Sequence, residues 1–213
     1  MNTYHKIQTV FKRDPETNFK TLLEDEYSMP EFEYLKDNTW IFTEKVDGTN
    51  IRVMWDGKEI TFGGKTDNAQ IPVFLVTALQ KLFLWQVDNF KAKFGEEGNV
   101  CLYGEGYGPK IQKGGGNYRQ DQSFVLFDIK INNCWLQRKD VEDIAKCFTL
   151  DVVPIIGEGT LRDMINETRQ GIKSVWGDFL AEGIVARPAT ELRTRMTHRI
   201  ITKIKLKDFM EAT

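Results

Sequence analysis

Cysteine and histidine are scarce, and their scarcity narrows the chemistry first. Cys101, Cys134 and Cys147 are odd in number and lack metal-ligand spacing, so they read as buried thiols of a reducing, cytoplasmic setting and not as a disulfide framework. His5 and His198 lie at opposite ends of the chain, which argues against a zinc site and a Ser-His-Asp triad. No apolar run approaches the ~18–20 residues of a membrane span, and the opening Met1-Asn2-Thr3-Tyr4-His5 begins no signal peptide. Repeats, low-complexity tracts and Pro/Ser-rich linkers are missing as well. What remains is an ordinary globular composition, 41% hydrophobic and 28% charged, in a chain long enough at 213 residues to bury a sizeable core.

Charge of one sign is also lacking overall. The formal net charge of -2 would by itself argue against nucleic-acid binding. Its distribution is uneven, however. Glu24, Asp25, Glu26, Glu31 and Glu33 occur with no base among residues 24–33. Arg187, Arg193, Arg195, Arg199, Lys203, Lys205 and Lys207 face Glu191 alone among residues 187–207. Such asymmetry can make one face attractive to phosphates while the whole stays acidic.

Periodicity predicts the elements. Residues 1–38 are polar and weakly periodic, an irregular arm with one short helix. Trp40 to Phe42 and Ile51 to Trp55 read as strands around a tight turn at Gly48, and Asp56-Gly57 as a hairpin turn into Glu59 to Phe62. Gly63-Gly64-Lys65-Thr66 copies the end of a Walker A loop, but that motif needs glycine where Glu59 stands, so a P-loop is rejected. Pro72 to Phe94 reads as one helix, with Pro72 in its first turn and Leu75, Leu79, Leu82, Phe83, Gln86 and Phe90 at helical spacing.

Asn99 to Gly104 is expected as a strand ending at Glu105, followed by a mobile glycine-rich loop carrying Lys110 and Lys113. Ser123 to Ile131 is a strand, with Cys134 to Gln137 its partner across Asn132-Asn133. Val141, Ile144, Ala145 and Phe148 mark a helix, and Val152 to Ile156 a strand. Thr160 opens a further helix with a capping-box pattern to Asp163. Glu182 opens the strand to Arg187. In Ile200 to Leu206, Lys203 and Lys205 share one face, a crowding that is unfavourable unless an anion lies near. The sum is a single α+β domain, 1–213, of antiparallel strands with helices packed outside.

The stretch Thr43-Glu44-Lys45-Val46-Asp47-Gly48-Thr49-Asn50 carries the chemical interest. A neutral lysine amine is a nucleophile and an ammonium is not. At an ordinary pKa near ~10.4 only about one lysine in 2,500 is uncharged at pH 7. A reactive Lys45 therefore requires burial, cationic neighbours or a proton acceptor.

Lys45 begins Lys-x-Asp-Gly, and the order Lys45, Glu105, Phe127-Asp128, Glu182, Lys203/Lys205 resembles the ordered motifs of covalent nucleotidyltransferases. These are the polynucleotide ligases and mRNA-capping enzymes, and the resemblance runs over roughly residues 40–207. The string Glu-Lys-Val-Asp-Gly-Thr-Asn resembles more narrowly the ATP-dependent RNA ligases that seal nicks in duplex RNA. That likeness implies an antiparallel-sheet nucleotidyltransferase fold using ATP and Mg2+. It makes Lys45 the nucleophile that expels pyrophosphate and holds AMP as a covalent adduct. It implies that Glu44 helps recognise adenine, that Asn50 orients a hydrated metal ion, and that Glu105 accepts from the ribose hydroxyls while Phe127 stacks on the base. Glu182 would bind metal or help deprotonate Lys45, and Lys203 with Lys205 would hold the α-phosphate. Asp47, Gly48, Arg52 and Lys65 are further nucleotide-binding candidates, although a lysine at 65 lacks the bidentate fork of arginine.

The implied partner is RNA with 5′-phosphate and 3′-hydroxyl ends, as in a nicked duplex. A DNA ligase, a capping guanylyltransferase and a non-catalytic RNA- or nucleotide-binding module are the competing readings. The first two usually carry an OB-fold after the paired-lysine strand, and this sequence ends eight residues past Lys205. No C-terminal OB-fold is therefore expected, and a partner protein could supply a further domain.

Overall fold

In a computed structural model, which describes residues 3–96 and 98–210, the chain has an α+β architecture. Met1 and Asn2, part of the opening stretch read above, lie outside the described residues. The strands run β1 Gln8–Thr9, β2 Phe11–Arg13, β3 Leu22–Tyr27, β4 Trp40–Glu44, β5 Thr49–Trp55, β6 Ile60–Gly63 and β7 Val100–Tyr107. They continue with β8 Ser123–Ile131, β9 Cys134–Trp135, β10 Asp151–Val152, β11 Ile155–Gly159, β12 Gly183–Pro188 and β13 Thr202–Lys205. The α-helices are α1 Pro30–Tyr34, α2 Val73–Phe83, α3 Val87–Phe94, α4 Arg138–Cys147 and α5 Leu161–Gln170. Contacts divide the chain into two compact units, one built on Asp47–Val153 with Tyr4, the other on His5–Val46 and the residues from Pro154 onward.

The first unit holds a sheet in the order β10-β8-β7-β5-β6, with β9 added beside β8. Its apolar face is covered by α2, α3 and α4, whose Leu75, Leu79, Phe83, Phe90, Val141 and Ile144 pack with Ile51, Trp55, Phe124 and Leu126. The 72–94 segment is two helices and not one: Pro72 is the cap before α2, and a 3-10 turn at Leu84–Gln86 separates α2 from α3. That turn brings Gln86 inside, where its amide donates to Leu82 O (2.8 Å) and Phe148 O (3.2 Å). A polar residue on the apolar face is thus satisfied.

The second unit holds a sheet in the order β1-β13-β12-β4-β11 and the small β2-β3 pair. Trp40, Phe42, Ile184, Ala186 and Ile204 pack there with Leu161 and Met164 of α5. The predicted capping box of α5 is present, with Thr160 Oγ1 accepting from Asp163 N–H and Asp163 Oδ2 from Thr160 N–H.

Four further expectations are corrected. The N-terminal arm is not irregular: β1 pairs in parallel with β13, and β2 with β3. The strands on either side of Gly48 do not form a hairpin with each other, since β4 pairs with β11 and β12 whereas β5 pairs with β6 and β7. Val152 to Ile156 is likewise two strands in two sheets, broken at Pro154, whose missing N–H cannot continue a ladder. Only Cys101 is a buried thiol; Cys134 and Cys147 are exposed.

Candidate active site

Strand alternation puts Trp40, Phe42 and Glu44 on the buried face of β4. Lys45 follows at the strand's end, with its N–H donating to Gly183 O at 2.9 Å. The partner β12 is the middle strand, antiparallel to both β4 and β13, with Ile184 opposite Glu44 and Gly183 opposite Lys205. Lys45, Glu182 and Lys205 therefore come together at one end of three adjacent strands. Gly183 permits this through close approach, because a Cβ there would lie 2.1 Å from Ile204 O.

Glu182 bridges the two amines. Its Oε2 accepts from Lys45 Nζ and its Oε1 from Lys205 Nζ, each at 2.5 Å. The three side chains are only 15–22% exposed. Burial pushes the Glu182 carboxyl upward, but the neighbouring charge of Lys45 and the Lys205 hydrogen bond outweigh it and hold the group below the ordinary glutamate value. The anion that paired lysines on one face demand is, for Lys205, this carboxylate. Lys203 lies two residues away on the same face, opposite Val185, and is half-buried.

Glu44 is buried and occupied. Ser174 Oγ donates to its Oε1 (2.7 Å) and Val175 N–H to its Oε2 (3.0 Å). Burial raises its carboxyl above the ordinary value, against the opposing pull of these two bonds. Glu44 thus pins the 174–176 turn beside the end of β4, a partnership that no local sequence signal announced.

The remaining candidates lie in the first unit. Asp47 N–H donates to Tyr118 Oη (3.1 Å), and Asp47 Oδ2 accepts from Gly114 N–H (3.1 Å). The glycine-rich segment is therefore tied to the Lys-x-Asp-Gly signature at two points, where a free loop was expected. Gly48 has no positive φ; a side chain there would meet Gly106 O at 2.4 Å and Glu105 Cγ at 2.7 Å. Glu105 sits inside β7, not at its end, directly opposite Asn50. Asn50 Oδ1 is buried and, among the described residues, has no hydrogen-bond partner, so it is an acceptor that a water of a hydrated cation would satisfy. Among the described residues no cluster of three or more acids, cysteines or histidines forms a preassembled metal site.

Phe127 is the extra residue of a β-bulge, because Tyr103 pairs with Asp128 while Gly104 pairs with Leu126. It is half-buried, with Tyr4 packed edge-on at 5.1 Å, and the Tyr4 hydroxyl donates to buried Asp128 (2.6 Å). Arg52 is enclosed, with Nε on Gly64 O (2.8 Å) and Nη2 on Asp67 Oδ1 (2.8 Å), so it braces the 63–67 loop. Lys65 in that loop is exposed.

Comparisons with known proteins place this architecture. No curated protein matches the chain. Solved structures of an RNA ligase from Naegleria gruberi match with a TM-score of 0.64. A variant of it with ATP and Mn is 17% identical over 83% of this chain and 52% of that one. The same ligase with PPi is 18% identical over 96% and 58%. A variant with AMP and Mn is 17% identical over 95% and 57%. These likenesses show the fold, and the chain spans little more than half the length of the structures it matches. The fold class is thus that of a little more than half of these RNA ligase structures. More particularly, the sequence pattern of the RNA ligase family matches residues 38–205, and the chain belongs to that family.

Proposed function

We propose that the protein is an ATP-dependent RNA ligase and that Lys45 forms its covalent lysyl-AMP intermediate. The observation that carries this is the Lys45–Glu182–Lys205 cluster, an enclosed amine with a carboxylate on it and a second cation on the same carboxylate. Binding alone does not require that arrangement. In the proposed step the Lys45 Nζ lone pair forms a bond to the α-phosphorus of ATP, and the bond to the pyrophosphate oxygen breaks. The amine's proton leaves by way of Glu182, the only carboxylate seen on it among the described residues. An incoming polyphosphate draws Lys205 and Lys203 toward its α-phosphate oxygens, which lowers the cationic hold on Glu182 and improves it as an acceptor. A bound Mg2+ ion would supply neutralisation of the polyphosphate charge while keeping most of its waters, with Asn50 and Glu182 the residues proposed to orient them.

For the first unit the assignment follows the motif order. Glu105 is proposed for the ribose hydroxyls and Phe127 for the base, with Asp47 and Gly48 shaping the segment after the nucleophile. The structure favours support roles for Glu44 and Arg52, each of which is enclosed with its polar atoms engaged. AMP would then pass from Lys45 to an RNA 5′-phosphate, and a 3′-hydroxyl would displace it to seal the strand.

The test is incubation with labelled ATP or GTP and Mg2+, followed by denaturing electrophoresis. ATP alone should label the protein through an acid-labile, alkali-stable bond. Lys45→Ala should abolish the label, and so should Lys45→Arg, whose guanidinium stays protonated. Stoichiometric label on Lys45→Ala would refute the assignment.

A further inference from the structure

Lys205 is the last residue of β13, and its amine can address an anion reproducibly only if the chain is held where it leaves the sheet. On one side Leu206 N–H donates to Glu182 O at 2.9 Å. On the other side β1 pairs with β13 at Thr202 and Lys203, so among the described residues no strand receives the Lys205 N–H. A 3-10 turn at Leu206–Asp208 instead brings Asp208 back, and its Oδ2 accepts that N–H at 3.0 Å. The second oxygen, Oδ1, accepts from Arg13 Nη2 at 2.7 Å, and the Asp208 side chain is only 1% exposed. Arg13 is fixed in turn, with Nη1 on Lys20 O (3.2 Å) at the end of β2. Charge-assisted bonds at both oxygens of an enclosed carboxylate are strong and directional, and neither group is tolerated alone once buried.

We infer that Asp208, held by Arg13, is a positioning residue that sets where Lys205 Nζ lies relative to Glu182 and to an incoming α-phosphate. The inference rests on the role proposed above for Lys205. Among the described residues Asp208 meets this site at the Lys205 backbone, so its removal should slow the chemical step and leave ATP binding nearly unchanged. A misplacement of about 1 Å at a reacting group costs on the order of 10²-fold in rate.

The experiment measures single-turnover self-adenylylation against ATP concentration for the wild type, Asp208→Asn, Asp208→Ala, Lys205→Ala and the double variant Lys205→Ala/Asp208→Ala, normalised to folded protein. Asp208→Ala should lose about 10- to 100-fold in the saturating rate, with the half-saturating ATP concentration shifted far less. Asp208→Asn, which keeps an acceptor for the N–H, should recover part of that loss, and it carries the test should Asp208→Ala fail to fold. In the Lys205→Ala background the Asp208 substitution should add nothing, the signature of one group acting through the other. A normal saturating rate in folded Asp208→Ala or Asp208→Asn, with Lys205→Ala inactive, overturns the inference alone. A multiplicative loss in the double variant overturns it too. Full activity of Lys205→Ala, or no labelling of the wild type, overturns the reading beneath it.

Discussion

Glu182 holds together two ammonium groups that would otherwise repel, and its lowered carboxyl value records that attraction. A carboxylate depressed in the folded state contributes stability that is complete above its unfolded value and is lost as pH falls through its folded one. The wild type's advantage over Glu182→Gln should therefore be full above about pH 5 and shrink below it. Urea midpoints of the two proteins across pH check this, and a difference that stays flat down to pH 3 counts against the geometry. Cys101 offers a second check. Burial pushes its thiol to about 11, whereas Cys134 and Cys147 are exposed. A thiol-specific disulfide reagent at pH 8 should titrate two thiols in the native protein, and a third only after denaturation.

The elements show which signals travel well along a sequence. The Asp56-Gly57 hairpin, the α5 capping box and the Lys203/Lys205 alternation were legible because each is settled by neighbours within a few residues. The order of Lys45, the acids and the paired lysines could be read as a pattern too, since a motif does not require knowledge of what pairs with what, and the structure brings Lys45, Glu182 and Lys205 of that pattern together. What stayed hidden depends on distant partners. Gln8 and Thr9 become a strand only because Thr202 and Lys203 are there to receive them. Phe127 is bulged because β7 and β8 slip by one residue, and Asp208 looks like any surface acid until the turn after β13 folds it back. Gly183 gave no sign either, yet a methyl group there would strike the Ile204 carbonyl at 2.1 Å. Gly183→Ala should pry β12 from β13 beside Glu182, costing about 1–3 kcal/mol and most self-adenylylation. Chemical denaturation and the labelling assay measure the two losses separately, and a fully stable, fully active variant would show that the strands do not meet so closely.

Across the whole molecule, the basic segment 187–207 is less uniform than its sequence suggests. Arg199 is buried against Glu191 and Lys205 belongs to the amine cluster, so both have structural or chemical employment. Arg193, Arg195 and Lys207 are exposed. These three are expected to meet the RNA backbone. Replacing Arg193 and Arg195 with alanine should weaken sealing by pre-adenylylated protein and flatten its dependence on salt by about one to two released counterions. Self-adenylylation in the same variant should be unchanged, because enclosed charges are screened far less by salt. An unaltered salt slope in a sealing assay would remove these arginines from the RNA interface.

The division of the chain also bears on the order in which its contacts can form. Asp47–Val153 is inserted between Val46 and Pro154, so β4 must wait for β11 and β12, more than a hundred residues downstream, before its ladder closes. Contacts that distant form slowly. Lys45 is synthesised 137 residues before Glu182, and Lys205 follows later still. On the reading proposed for this site, a nascent chain would carry Lys45 with neither its proposed proton acceptor nor its companion cation, and ATP should not label it until synthesis has passed Lys205.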